Sequence, residues 1–241
     1  MYIYIILFAT RTHISRLSTP IILNLGEERI ERKEVVKKLG IKMDTTMSMQ
    51  NQVNNITSTC YYHLRIISKV RRYLTVDAAR SLISAYVVSR MDYCNALLIE
   101  LPAYLIKKIQ RVQNYAARVI NRTSWRDSIS RQLKELHWLP VKERINYKVL
   151  LFVYKALNNL APNYLRRLLK YRNINRTLRS SHQQYLTIKR HKTRYGARAF
   201  SYIGPKLWNQ LPLQLRTADT LLKFKTSLKT FLFNRAFNQH A

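Results

Sequence analysis

The spacing of apolar positions changes early in the chain, from strand-like to helical. Ile and Val dominate three short runs, 2–9, 20–24 and 35–43, and Pro20 and Gly26 punctuate this region. Such runs are typical of strands, so we expect three of them, with 2–9 buried. Downstream, apolar residues recur every three or four positions, which indicates amphipathic helices. We therefore expect a mainly α protein, helical and bundle-like, with a small N-terminal β element.

The helix boundaries follow from the apolar stripes and from capping residues. Thr75 is a favourable N-cap, and Pro102, Pro140 and Pro162 suit the first turns of helices. The helix that begins at Pro140 is apolar on all sides, so we expect it at the centre of the core. The predicted helices span 48–74, 76–99, 102–122, 128–136, 140–158, 162–169 and 220–235.

Changes of pattern divide the chain into four expected segments. Residues 1–47 form the β element and residues 48–169 the main helical region. Residues 170–198 are basic, lack acids and show little periodicity, which indicates a linker or loop with a short strand near 185–189. Residues 199–241 form a C-terminal helical segment.

Charge narrows the choice of partner. The 241 residues include 43 Lys and Arg against 12 Asp and Glu, a net charge of +31. Such a chain repels itself unless an anion neutralises it, and nucleic acid is the commonest such partner. The expected partners are therefore RNA, DNA or an RNA–DNA hybrid, with no membrane and no small-molecule substrate. Binding is expected to depend little on base sequence.

The expected location is the nucleus or the cytoplasm. The apolar run 2–9 is far shorter than the roughly 20 residues of a membrane span, and no basic residue precedes it. We therefore expect no signal peptide and no transmembrane segment. Cys60 and Cys94 are too few for a disulfide framework, and both have apolar neighbours, so we expect two buried thiols in a reducing compartment.

Basic residues cluster in three places. The clearest is the predicted helix 102–122, where the basic stripe lies opposite the apolar stripe and no acid interrupts it. An ordinary solvated face is the alternative interpretation of that stripe. Aromatic residues that can stack on bases lie near the clusters: Tyr73, Trp125, Tyr171, Tyr185 and Tyr195. The candidate phosphate-binding residues are Arg65, Lys69, Arg72, Lys107, Arg111, Arg118, Arg122, Arg176, Arg179, Lys189, Arg190, Lys192 and Arg194.

Catalytic signatures are scarce. The sequence has no Gly-rich phosphate loop and no Gly-x-Ser-x-Gly elbow. Asp92 and Glu100 are the closest approach to a pair of metal-binding carboxylates, and they lie eight positions apart. His182 and His191 lie in the basic segment without a carboxylate or Cys nearby. We therefore expect no catalytic residue, no bound metal and no cofactor in this chain.

Six strings, in order along the chain, together resemble one family. They are VKKLGIKMD (36–44), SRMDYCNALL (89–98), KKIQRVQNYAARVI (107–120), LKELHWLPVKERINYKVLLFVYKALNNLAPNYL (133–165), TLRSS (177–181) and YGARAFSYIGPKLWNQLP (195–212). They resemble the C-terminal part of the reverse transcriptase, an RNA-directed DNA polymerase, of non-LTR (LINE-type, jockey-like) retrotransposons. The likeness extends from about Pro20 to Phe233.

The resemblance implies an end-of-palm remnant followed by thumb and post-thumb helices that grip a template–primer duplex. Carried over residue by residue, Lys37, Lys38 and Gly40 match the primer-support strand. The family's Phe/Tyr-x-Asp-Asp turn, its other catalytic Asp and its endonuclease have no counterpart here. We therefore expect a truncated fragment without polymerase activity, and Mg²⁺ only in the missing catalytic part.

Three alternatives remain open at this level. The chain is the tail of a longer, active polymerase, or a domesticated protein that uses its helices for protein contacts, or a non-functional relic.

Overall fold

The computed structural model describes residues 4–16, 22–25, 28–172, 184–193 and 195–238, and confirms a mainly α fold. The strands are β1 (Ile22–Leu25), β2 (Glu28–Glu31), β3 (Val35–Lys38) and β4 (Ile41–Asp44). The helices are α1 (Arg11–Ser15), α2 (Gln50–Val70), α3 (Val76–Ile83), α4 (Ser89–Asp92), α5 (Ala103–Asn121), α6 (Ile129–Glu135), α7 (Val141–Leu157), α8 (Asn163–Arg166), α9 (Phe200–Trp208), α10 (Leu213–Arg216) and α11 (Leu221–Phe237).

The N-terminal β element consists of two antiparallel hairpins, β1–β2 and β3–β4. The expected single strand over 35–43 is wrong, because the chain reverses at Leu39 and Gly40. Both residues have positive φ, 48° and 80°, as a two-residue hairpin turn requires. Ile41 is buried in the helical core, and the Lys42 N–H donates to Gln52 Oε1 at 2.9 Å. The β3–β4 hairpin is thereby fixed to the start of α2.

The expected buried strand over 2–9 is also wrong for the part that the structure describes. Only Ile5 makes a bridge, with Arg32, and Tyr4 and Phe8 are about half exposed. Residues 1–3 lie outside the described residues. The apolar run lacks a partner strand along its length, so its composition alone does not produce a strand. The chain instead continues into the short helix α1.

Asp44 caps the start of α2 from outside the helix. Its carboxylate accepts the backbone N–H groups of Ser48 and Met49 and the hydroxyls of Ser48 and Thr46. Burial alone raises the pKa of this carboxyl, but the four hydrogen bonds outweigh it, and the pKa lies below the ordinary value of 3.8. Met49 itself is left-handed and contributes no side-chain cap.

Replacing Asp44 with Asn is expected to lower the free energy of unfolding by about 1 kcal/mol at pH 7, because one of the two acceptor oxygens becomes an NH₂ donor. Because the pKa of Asp44 is lower in the folded state, its ionised carboxylate stabilises the fold at pH values above the unfolded-state pKa of 3.8. This stabilisation is lost as the pH falls through the folded-state pKa. Urea unfolding of both proteins between neutral pH and pH ~2.5 should therefore show the difference shrinking below pH ~4. A constant difference at every pH would show that the carboxylate charge is not responsible.

One hydrophobic cluster extends from Ile41 in β4 to Leu232 in α11. Helix α7 lies near its centre, as its sequence predicts, and packs against α5, α9 and α11. Trp208 and Phe224 are buried beside it, and the Phe224 ring stacks on Tyr154 at 4.2 Å between centroids. Residues of the expected segments 1–47 and 199–241 thus share a core with the main helical region.

The single helix expected over 76–99 is wrong, because it is interrupted twice. A π-helical turn occupies Ser84–Val88, and Tyr93 and Cys94 leave the helical region, the latter at φ 51°. The Tyr93 hydroxyl donates to Leu39 O at 2.8 Å, which ties this break to the hairpin turn. Cys94 is consequently exposed, so only Cys60 is the buried thiol that the sequence predicts. Tyr86, in the π-helical turn, is also exposed.

The short strand expected near 185–189 is reduced to a bridge between Leu186 and Tyr171. Asn209 completes the attachment: its side-chain oxygen accepts the Leu186 N–H and its nitrogen donates to Leu186 O, both at 2.8 Å. Trp208 Nε1 donates to Gln184 O at 3.2 Å. The end of α9 therefore holds Gln184 and Leu186, at the start of the described residues 184–193. In the described part of the chain, no helix combines the length and apolar composition needed to cross a bilayer.

Candidate nucleic-acid interface

Helices α2 and α5 pack side by side and run in the same direction. Near their starts, Lys108 Nζ donates to Asn54 Oδ1 at 3.1 Å. In the middle, the Tyr61 and Tyr115 rings lie 6.2 Å apart. Beyond the end of α2, Arg71 reaches the last carbonyls of α5. These contacts place the outward faces of the two helices next to each other.

That outward surface is basic along its whole length, and neither helix contains an Asp or Glu. At about 100° per residue, the cations of each helix lie opposite its buried stripe, except Lys108, which lies toward α2. From Asn54 to Arg72 the surface is roughly 27 Å long at 1.5 Å per residue. We call it the α2–α5 basic strip: Arg65, Lys69, Arg72, Lys107, Lys108, Arg111, Arg118 and Arg122.

Two of the predicted cations have structural roles at the C-terminal end of the strip. Arg122 is the left-handed residue that ends α5, at φ 53°, and its Nη2 donates to Arg71 O at 2.9 Å. Arg118 donates to Ser124 O at 3.3 Å, and its guanidinium lies 4.6 Å from the centroid of the Trp125 ring. These side chains are already held in place, and only part of their surface remains for a ligand.

Arg71 is the counterpart of Arg122 and is nearly fully buried, with 6% of its surface exposed. Its Nε and Nη2 donate to Val119 O at 2.9 Å and Ile120 O at 2.7 Å, and its Nη1 donates to Leu74 O at 2.8 Å. Burial lowers the pKa of Arg71, and the positive charge of Arg122 lowers it further. Arg71 therefore satisfies carbonyls in the last turn of α5, and Arg122 satisfies carbonyls just beyond the end of α2. This role explains why Arg71 interrupts the apolar pattern of its segment.

Four exposed cations of the strip make no hydrogen bond or ring contact among the described residues: Arg65, Lys69, Lys107 and Arg111. None of the ion pairs among the described residues includes them. Arg72 is also exposed, but its guanidinium lies against the Tyr73 ring. Arg65 lies one turn after Tyr61, and Arg111 one turn before Tyr115, so the two flank the ring contact. Burial raises the pKa of Tyr61, and the charge of Arg111 acts in the opposite direction. We call these four residues the open cations.

The β3–β4 hairpin extends the strip beyond the start of α2. Lys37 and Lys42 are cross-strand partners, and they line a shallow groove with Asn51, Asn54 and Ser58 of α2. Asn54 is also the residue that holds Lys108, so the groove leads directly into the strip. The structure thus places the predicted Lys37 next to the predicted helical cations.

The other two hairpin residues are placed differently. Lys38 is exposed but alternates to the opposite face of β3 from Lys37. Gly40 occupies the turn at φ 80°, where a Cβ would lie 3.6 Å from the Tyr93 ring. The conformation requires glycine, and its position explains the residue without any ligand.

The third predicted cluster of basic residues lies in the segment 170–198, which the structure describes only in part. Lys189, Arg190 and Lys192 are exposed on the segment that Trp208 and Asn209 hold. Arg176, Arg179 and Arg194 lie outside the described residues, as does His182. Arg166, Arg167 and Lys170 are exposed just upstream and line a groove of their own. The described part of this cluster is therefore basic but is not continuous with the strip along any one helix.

Two of the aromatic residues that the sequence predicts for base stacking have largely exposed rings. Tyr73 and Trp125 are 74% and 75% exposed, and each has an arginine beside its ring, Arg72 and Arg118 respectively. Tyr185 is instead covered by Arg216, whose guanidinium lies 4.2 Å from the ring centroid. The predicted aromatic set therefore divides into exposed rings and one covered ring.

The two carboxylates with the best metal-binding prospects in the sequence are both engaged by cations. Asp92 Oδ1 accepts from Arg144 Nε at 2.9 Å in a two-point ion pair. Glu100 lies 4.0 Å from Lys206 Nζ. Within the described residues, no group of three or more His, Cys, Asp and Glu side chains is arranged to hold a metal ion.

Sequence reasoning missed two members of the basic surface, Lys42 and Lys108. Lys108 belongs to the Lys107-Lys108 pair and lies toward α2, and Lys42 follows the hairpin turn. The absence of acids around Lys108 was a usable signal, but Asp44 lies two positions after Lys42. Their roles depend on the contact between the hairpin and α2, which spacing along one element does not show.

Comparison with known proteins adds no identification: no protein family, curated protein or solved structure matches the chain. The case for a function therefore depends on the geometry and charge of the basic surface.

Proposed function

We propose that this chain binds the backbone of RNA, DNA or an RNA–DNA hybrid along the α2–α5 basic strip, as the thumb and post-thumb region of a LINE-type reverse transcriptase. The proposal rests mainly on one observation. Two parallel helices without a single acid place four open cations on one outward surface. Lysines and arginines without carboxylate partners are suited to neutralise phosphates.

The geometry supports a grip on the backbone. The strip is roughly 27 Å long, comparable to eight base pairs of duplex at about 3.4 Å per pair. Lys37 and Lys42 continue it at one end, and Trp125 lies near the other. Contacts of this type position a duplex but read no bases, so affinity should vary little with sequence. The proposal assigns no catalytic step to the described residues.

Replacing the open cations is expected to weaken binding and to flatten its salt dependence. In Arg65→Gln, Lys69→Gln, Lys107→Gln, Arg111→Gln combined, up to four phosphate contacts are lost. The slope of log K against log salt on duplex DNA should then fall by up to about 3.6, at about 0.9 per phosphate. The measurement is fluorescence anisotropy of a labelled duplex titrated between about 50 and 200 mM salt.

A matched control removes the same charge elsewhere: Lys142→Gln, Lys223→Gln, Lys225→Gln, Lys229→Gln, on α7 and α11. It changes the net charge equally, so a smaller effect isolates the position of the open cations from total charge. Arg71, Arg118 and Arg122 are left intact because they hold the helices. An unchanged slope in the first variant, or an equal loss in the control, would contradict the proposal.

A further inference from the structure

A second feature lies away from the strip, between α7, α8 and α9. It is an apolar pocket of about 460 Å³. Phe152 of α7, Tyr164 of α8 and Tyr195 line it, together with Phe200 of α9, and its lining residues include no acid. Tyr164 is 67% exposed, and Phe152 and Tyr195 are partly exposed. Exposed rings around an apolar pocket are available to a flat ligand.

The chain that directly follows two of the lining residues is basic. Arg166 and Arg167 directly follow the lining residues Tyr164 and Leu165, and both are exposed. With Lys170 they line a second groove, whose lining also contains no acid. None of these three cations is in an ion pair among the described residues. A ligand for this surface should therefore combine a flat apolar ring with flanking negative charge.

Arg198 supplies a polar group to the pocket lining. Its Nη1 donates to Met47 O at 2.8 Å and its Nη2 to Leu97 O at 3.4 Å, which fixes the guanidinium. Its Nε is buried and has no hydrogen-bond partner among the described residues. The guanidinium nevertheless places positive charge in the lining, which suits the acceptor nitrogens and carbonyl oxygens of a nucleobase.

We infer that this pocket holds an unpaired base of a single-stranded extension, with the flanking phosphates on Arg166, Arg167 and Lys170. The inference rests on the proposed function and adds a binding site for single strands to a grip on the duplex. An apolar peptide would fit the rings but would not use the neighbouring cations. A base with its phosphates uses both, as in sequence-tolerant single-strand binding.

The test compares a blunt RNA–DNA hybrid with the same hybrid carrying a short single-stranded extension that contains 2-aminopurine. For the full chain we expect the 2-aminopurine fluorescence to change on binding, because the base stacks on a ring. Tyr164→Leu keeps apolar surface but removes the flat ring. It should abolish that change and weaken binding of the extended hybrid by about 5- to 150-fold, while blunt binding is unaffected.

Three comparisons separate the possible outcomes. Tyr164→Phe should restore the fluorescence change, and Tyr86→Leu, at an exposed ring next to His63, should have no effect. Phe152→Leu repeats the test on α7, with thermal unfolding by circular dichroism to confirm the fold. If blunt hybrid binds and Tyr164→Leu behaves like the wild type, the inference is wrong. If neither hybrid binds, both proposals fail.

Discussion

Replacing Arg71 with Met is expected to lower the free energy of unfolding by about 3–5 kcal/mol, because three carbonyls lose their donor and a buried acceptor left unsatisfied costs at least ~1 kcal/mol. The aliphatic part of the side chain is preserved, so the loss comes from the guanidinium. Val119 O and Ile120 O at the end of α5 would lose buried partners, as would Leu74 O. Urea unfolding followed by circular dichroism gives the value directly.

Two variants make this result specific. Arg72→Met removes a neighbouring exposed cation and should change stability by no more than about 0.5 kcal/mol. Arg71→Lys keeps the charge but cannot place donors on all three carbonyls, so an intermediate loss is expected. If Arg71→Met unfolds within about 1 kcal/mol of the wild type, the reciprocal contacts of Arg71 and Arg122 do not stabilise the α2–α5 pair.

Replacing Trp208 with Ala is expected to cost about 3–5 kcal/mol, the usual range for a buried aromatic residue. Trp208 is 1% exposed, and its ring lies 5.9 Å from that of Phe224. Its Nε1 also donates to Gln184 O. The variant should therefore lose both core packing and an attachment of the segment that carries Lys189, Arg190 and Lys192. Chemical unfolding measures the first loss, and the rate of tryptic cleavage in this segment measures the second.

Trp125→Ala is the matched control, because the same substitution is made at a ring that is 75% exposed. Its stability should remain within about 0.5 kcal/mol of the wild type. Trp208→Phe retains most of the packing but lacks the Nε1 donor. Tryptic cleavage of the segment should therefore still accelerate, whereas the free energy of unfolding should fall less than in Trp208→Ala. Equal stability losses in Trp208→Ala and Trp125→Ala would contradict the placement of Trp208 in the core.

Most of the helical framework could be predicted from the sequence. The boundaries of α2, α5, α7 and α11 agree with the predicted ranges to within a few residues, because apolar spacing and N-terminal Pro or Thr residues are local signals. The β3–β4 turn was missed because Leu39, a non-glycine residue, adopts positive φ in it. The break at Tyr93 and Cys94 was missed because it goes with a long-range contact. The Tyr93 hydroxyl donates to the carbonyl of Leu39, 54 positions away.

The candidate interface likewise combines features that the sequence predicts with features that only the structure shows. The sequence by itself determined the sign of the charge, the absence of acids from α2 and α5, and the face of each helix that carries its cations, because all three depend only on composition and a 3.6-residue repeat. Only the tertiary structure decided that the two faces adjoin in parallel and that Lys37 and Lys42 extend them. It also separated the open cations from Arg71 and Arg122, which bind carbonyls of the partner helix. Those distinctions arise from contacts between residues about 50 positions apart, and periodicity within one element carries no information about which other element it will meet.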